Sequence, residues 1–350
     1  MPDTNTEYRR RFLKRQLLFE QRYRDIFDRI ADQFAKIAND PNAKFTKAFR
    51  FPPSIVRRMN GIITDMHGEL LAVTEDEITR MWDLSNEKND KIVADYLKTI
   101  TNIKAAQSAA YYMPNIPALK AFISGRHGTE TLSDAVWKIA RQFRAEMEVH
   151  LGLGIVNGTS TQTISQRIRQ YLQNPDALFR RVRDASGKLV PSQRMREYHP
   201  GQGVYRSAYK NAMRVARSET NMAYHSADTQ RWAQLDMVKG IKISLSGSHP
   251  VYNFPEICEV CAGIYPKTFD WQGWHPSCLC HAVPILTSRE SFNRYLDTGI
   301  RERNNYITLY PDSFKYFVKD NFERFSNYSS VPYWFRDNLK VITNIYTEMQ

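Results

Sequence analysis

The chain has 350 residues, 42% of them hydrophobic, and its 49 Lys and Arg against 37 Asp and Glu give a formal net charge of +12. That length and apolar content support a real core in two or three domains or one large one, while no apolar run approaches the roughly 18 residues needed to span a bilayer. The N-terminal MPDTNTEYRRRFLKRQ lacks the apolar core of a secretory leader, and the excess of basic residues points to partners such as nucleic acid or an acidic protein surface.

A first long helix is expected from about Glu7 to Asn39, with Leu13, Leu17, Phe27, Ile30, Phe34 and Ile37 near one face and Asp40-Pro41 closing it. A second begins after Pro52-Pro53 and carries Ile55, Met59, Ile62 and Met66. A third is expected from about Asn86 to Gln107, before Pro114 and Pro117 break the pattern. Leu132 to Leu151 reads as a helix buried through Val136, Ile139, Phe143 and Met147, interrupted by Gly152, Gly154 and Gly158. Ser160 or Thr161 then caps a helix through Ile164, Ile168 and Leu172. A loop-rich stretch precedes another helix from about Ser207 to Leu235. No alternation of strand and helix appears, so a doubly wound α/β fold is not expected.

At Gly240 the texture changes. Ile241, Ile243 and Leu245 alternate with polar residues as a short strand, and HAVPILTS offers a second. The fold class expected is mostly α, a multi-helix body carrying a small α+β cysteine-containing module whose packing is helped by a metal rather than by a core of its own. Residues 288–350, rich in Tyr and Phe, form modest helices broken at Pro311 and Pro332. The segments are thus 1–129, 130–239, 240–287 and 288–350.

All four cysteines lie in CEVCAGIYPKTFDWQGWHPSCLC, residues 258–280. Cys258 and Cys261 are spaced C-x-x-C, Cys278 and Cys280 are spaced C-x-C, and His275 precedes the second pair. Soft ligands gathered in this way make one structural Zn2+ the first reading. Cys258, Cys261 and Cys278 with either His275 or Cys280 would complete a tetrahedron, and His281 is a further candidate. Free buried thiols, or two disulfides, are the alternatives. No H-x-E with Pro-Cys-x-x-Cys, no H-E-x-x-H, no P-loop and no G-x-S-x-G is present, and no catalytic activity is expected.

Between Arg167 and Arg217 basic residues crowd beside aromatics. Arg180, Arg181, Arg183, Arg194, Arg196, Arg206 and Lys210 are candidate contacts to a phosphate backbone, read without base specificity, or to a partner protein. The alternative is a solvated face whose arginines pair with acidic neighbours. On the helix that follows, Arg217 and Glu219 are two apart and do not face each other, so each is expected to anchor a different neighbour.

The order R-S-E-T-N-x-A-Y on a long helix, a short strand, S-x-S-H-P, C-x-x-C and W-H-P-x-C-x-C-x-A-V-P resembles the phage head morphogenesis family, which includes the Mu-like F proteins and minor head proteins of Bacillus phages. The matching residues are Arg217, Glu219, Thr220, Asn221 and Ala223; Ser246, Ser248, His249 and Pro250; and Cys258, Cys261, His275, Pro276, Cys278 and Cys280. The likeness covers roughly residues 130 to 287. The chain departs from it in having C-L-C where the family usually has C-R-C, and R-S-E where R-T-E is frequent. The resemblance implies a minor head protein of a tailed phage or prophage, located in the virion at the head or portal vertex and in the host cytoplasm during assembly. Its implied partners are the portal protein, the major capsid protein and packaged double-stranded DNA, with no membrane. Other readings are a sequence-independent nucleic-acid-binding protein, a zinc-dependent hydrolase and a toxin-associated domain.

Overall fold

The computed structural model describes residues 3–43, 51–127, 130–156, 158–173, 181–191, 207–247, 249, 256–302, 306–328 and 331–350. These residues form a mostly helical body and a small three-stranded sheet. The body falls into two compact units, both discontinuous in sequence: Met1–Gln16 with Asp76–Thr131 and Arg217–Gln350, and Leu17–Glu75 with Leu132–Ala216.

Helix α1 (Thr4–Ala35) runs on into a 3-10 turn at Lys36–Asn39. Its buried stripe is Tyr8, Phe12, Phe19, Tyr23, Phe27, Ile30 and Phe34, while Leu17 is 67% exposed. The expectation for Leu17 is therefore corrected, because the aromatic residues, with more area to bury, set the inward face. Helix α2 (Pro53–Leu97) is one rod of 45 residues where two helices were expected. No proline interrupts Met66 to Asn86, and Gly61 and Gly68 cost only about 1 kcal/mol each in a helix held by packing. It ends at Leu97 rather than near Gln107, and two short helices follow, α3 (Ala105–Ala110) and α4 (Ile116–Ser124).

In the unit formed by Leu17–Glu75 and Leu132–Ala216, α5 (Leu132–Val156) buries Val136, Ile139, Phe143 and Met147 as expected. It passes through Gly152 and Gly154 without breaking. A Cβ on Gly154 would lie 2.5 Å from Ile164 Cδ1, so this glycine allows the close approach of α6 (Thr161–Gln173). Phe143 meets Phe27 edge-on at 4.8 Å, and Phe27 meets Tyr209 at 5.3 Å. The short strands β1 (Arg126–His127) and β2 (Glu130–Thr131) pair with each other in the other unit, and β3 (Arg181–Arg183) and β4 (Leu189–Pro191) pair in this one.

In the unit containing the cysteines, α7 (Ala208–Gln234) supplies its C-terminal half. Asp228, fully buried, accepts from Lys88 Nζ, from Ser85 Oγ at 2.6 Å and from Asn89 Nδ2 at 2.8 Å, which pins α7 to α2. Strand β5 (Val238–Ser244) is central in an antiparallel sheet between β6 (Gly263–Tyr265) and β7 (His281–Leu286). Ile241 pairs with Tyr265 and with Pro284, and proline is tolerated there because β7 is an edge. The strand stops at Ser244, leaving Leu245 37% exposed and outside the expected alternation.

The remaining helices are α8 (Ile257–Val260), α9 (Arg289–Thr298), α10 (Asp312–Ser326), α11 (Tyr333–Asp337) and α12 (Leu339–Glu348). With the cysteine module, which has no separate core of its own, they share one large core. Tyr265, Phe269, Trp271 and Trp274 pack with Phe314, Phe325, Trp334 and Phe335. The edge contacts of Tyr265 with Phe314 at 5.3 Å and of Trp274 with Trp334 at 5.7 Å join residues 240–287 to 288–350. The aromatic richness of the C-terminal segment is that core.

Candidate metal centre

Cys258 lies on the single-turn helix α8. Glu256 caps this helix in a reciprocal box with Glu259, so two of its first free amide groups find carboxylate partners. Cys278 and Cys280 arrive on the segment entering β7, after a tight turn. Ser277 holds a left-handed φ of 60°, and the Cys278 amide donates back to the His275 carbonyl at 3.0 Å. Gly273, at φ 124°, precedes that turn. A Cβ there would lie 3.0 Å from Tyr333 Oη and 3.2 Å from the Cβ of Cys278, so backbone angle and crowding both demand glycine.

This turn brings the Sγ atoms of Cys258, Cys278 and Cys280 all within 4.8 Å of one another, each side chain buried. Cys258 and Cys278 are 3.7 Å apart. Two thiolates at tetrahedral angles on one zinc, with Zn–S of about 2.3 Å, are separated by roughly 3.8 Å, so this edge matches such a site. His275 Nε2 is 3.0 Å from Cys258 Sγ, but it lies outside the group of three thiols and is not within 4.8 Å of all of them. Its Nδ1 donates to the Pro276 carbonyl at 2.9 Å, which leaves Nε2 with the lone pair that a metal would take. Three converging buried thiols are donors of the kind that zinc takes. All four cysteines are free thiols, so the disulfide alternative is not what this arrangement contains.

The thiols are electrostatically joined. Hydrogen bonds from Cys258 and Cys280 pull the Cys278 pKa well down and favour thiolate there, and the same bonds with burial push Cys258 far up. Cys261 stands outside this group. It is fully buried in the aromatic core, its carbonyl accepts from Tyr265 Oη at 2.7 Å, and burial alone pushes its thiol pKa up. The C-x-x-C spacing therefore does not bring its two thiols together. His281 is also outside the thiol group; burial first, then the charges of Arg9, His225 and Lys88, lower its pKa to about 4, leaving it neutral near pH 7.

The helix carrying R-S-E-T-N meets this turn directly. Ser277 N donates to Ser218 Oγ at 3.0 Å, and Asn221 Nδ2 donates to the Gln272 carbonyl at 3.2 Å. Glu219 is 9% exposed, and its charge acts on Tyr333, whose hydroxyl donates to the His275 carbonyl at 3.0 Å. Arg217 is half-buried on the same helix. His249 sits between two carboxylates, 3.7 Å from Glu256 and 3.9 Å from Glu259, beside the helix that presents Cys258. Tyr333 and Arg9 had no signal in the sequence, since each approaches the turn from a segment far from the cysteines.

Only some of the basic candidates fall among the described residues. Arg180, Arg194, Arg196 and Arg206, like Ser248 and Pro250, lie outside the described residues. Arg181 is on β3; Arg183 is exposed there and donates to the Gly187 carbonyl at 2.7 Å; Lys210 is half-buried in the first turn of α7. Compared with protein-family models, with curated proteins and with solved structures, the chain matches none of them.

Proposed function

We propose that the chain is a minor head protein of a tailed phage or prophage, a structural rather than catalytic component that acts in capsid assembly at the portal vertex. The observation that carries this reading is the meeting of its two separated motifs. Ser218 and Asn221 of the R-S-E-T-N helix bond to Ser277 and Gln272 around the His-Pro-Ser-Cys turn. That contact supports reading the two motifs as one unit.

Within this reading Cys258, His275, Cys278 and Cys280 hold one zinc, which when bound would cross-link α8 to the turn before β7 and contribute its binding energy to folding. The residues around it orient the ligands: Pro276 sets the His275 tautomer, Tyr333 fixes the His275 carbonyl, and Ser218 holds the Ser277 amide. The partners are the portal protein or the major capsid protein, with packaged DNA contacted through the surplus basic charge. Co-expression with the portal and major capsid proteins of the same genome tests this. The chain is expected to sediment with portal rings or procapsids and to appear in purified particles. Its absence from both would overturn the assignment, and salt-sensitive DNA binding without any head association would favour an autonomous nucleic-acid-binding protein.

A further inference from the structure

The first turns of α1 reach the thiol cluster through one side chain. Arg9 Nη2 donates to the carbonyl of Leu279, the residue between Cys278 and Cys280. The guanidinium lies 5.2 Å from the ring of Phe12, which in turn packs at a tilt against Tyr224 of α7 at 4.9 Å. Nη1 of the same guanidinium is buried and has no hydrogen-bond partner. A cationic donor held inside the protein without an acceptor is costly, so its position calls for negative charge nearby. Burial lowers the Arg9 pKa, and Tyr224, then Cys280 and Cys278, act against that lowering.

The charge arithmetic supplies the missing partner. A divalent cation held by three thiolates and a neutral imidazole leaves a centre of net charge −1.

Resting on the assignment of Cys258, His275, Cys278 and Cys280 as the ligand set, we propose that Arg9 is the outer partner of that centre. Its guanidinium offsets the net negative charge and, through the Leu279 carbonyl, couples the docking of α1 to metal occupancy. Arg9 is a positioning residue: it touches the ligand loop and not the metal. The consequence is a latch. With zinc bound, the loop from Cys278 to Cys280 is cross-linked to α8 and its Leu279 carbonyl holds Arg9, and with it Tyr8 and Phe12, in place; with zinc removed, that loop loses its cross-link and the first turns of α1 loosen with it.

Two measurements on the full chain test this. Zinc affinity is read by competition with a chromogenic chelator for the wild type, R9Q and R9K. Hydrogen exchange of the peptide covering residues 4–16 is read with zinc and after chelation. R9Q is expected to bind zinc about tenfold more weakly, the usual cost of losing an outer partner, with R9K recovering part of the loss. Chelation is expected to speed exchange in residues 4–16 of the wild type but not to change it further in R9Q. If the wild type takes no zinc, the ligand assignment falls and the role of Arg9 falls with it. If the wild type takes zinc, R9Q binds it equally well and exchange in α1 ignores chelation, the role of Arg9 alone is overturned. Should R9Q not fold, the wild-type exchange comparison and R9K affinity decide the matter.

Discussion

The turn from Gly273 to Cys280 depends on single atoms. Gly273 occupies φ 124°, and an added Cβ would press on Tyr333 Oη at 3.0 Å. Gly273→Ala is expected to cost about 2–3 kcal/mol, read as a lower urea midpoint with an unchanged slope. Ser218 acts more gently. Ser218→Ala removes the acceptor for the Ser277 amide and is expected to cost about 1 kcal/mol; an unchanged midpoint would mean that α7 does not brace the turn. Which cysteines gather was only partly legible. The clustering of all four in residues 258–280 announced a soft-ligand site, and the side chains of Cys258, Cys278 and Cys280 do converge. Spacing alone does not tell where a thiol points, however. Cys261 ends α8 and turns into the core that holds Tyr265, a destination set by packing among residues far apart in sequence.

Helices were read well where a hydrophobic period stood between clear stops, as in α5, α6 and α7. They were misjudged where tertiary contacts overrode local signals. The junction of α2 near residues 67–85 looks polar, yet Thr74, Glu77 and Ser85 are buried there in hydrogen-bonded positions, and the rod continues. Strand β6 is only three residues long, too short to show alternation, and it exists because β5 pairs with it. The tie between α2 and α7 is a buried ion pair that periodicity does not reveal. Asp228→Ala would strand the Lys88 ammonium inside the protein and is expected to cost about 3–5 kcal/mol. Burial would raise the pKa of Asp228, but Lys88 and His225 outweigh it and hold it below the usual carboxylate value. The sign follows from that depression. The contribution is fully present above the unfolded value near pH 4 and is lost as pH falls through the lower folded value. Asp228→Asn, which does not titrate, is expected to flatten the acid limb of a stability profile; an identical limb would remove Asp228 as its cause.

Across the protein the cysteine turn, the sheet and residues 288–350 stand or fall together, because Trp271 and Trp274 share their core with Phe314 and Trp334. Truncation after residue 287 is therefore expected to yield insoluble or molten protein rather than an isolated cysteine module, as judged by near-ultraviolet dichroism. The formal charge of +12 predicts sequence-independent DNA binding whose affinity falls steeply with salt, and a flat salt response would exclude a phosphate-backbone role. The account turns most directly on metal. Elemental analysis by inductively coupled plasma mass spectrometry, on chain purified without a metal-affinity resin, should give one zinc per wild-type molecule, one in Cys261→Ser and none in Cys258→Ser. No zinc in the wild type, or its loss from Cys261→Ser with Cys258→Ser still loaded, would contradict the ligand set on which the reading rests.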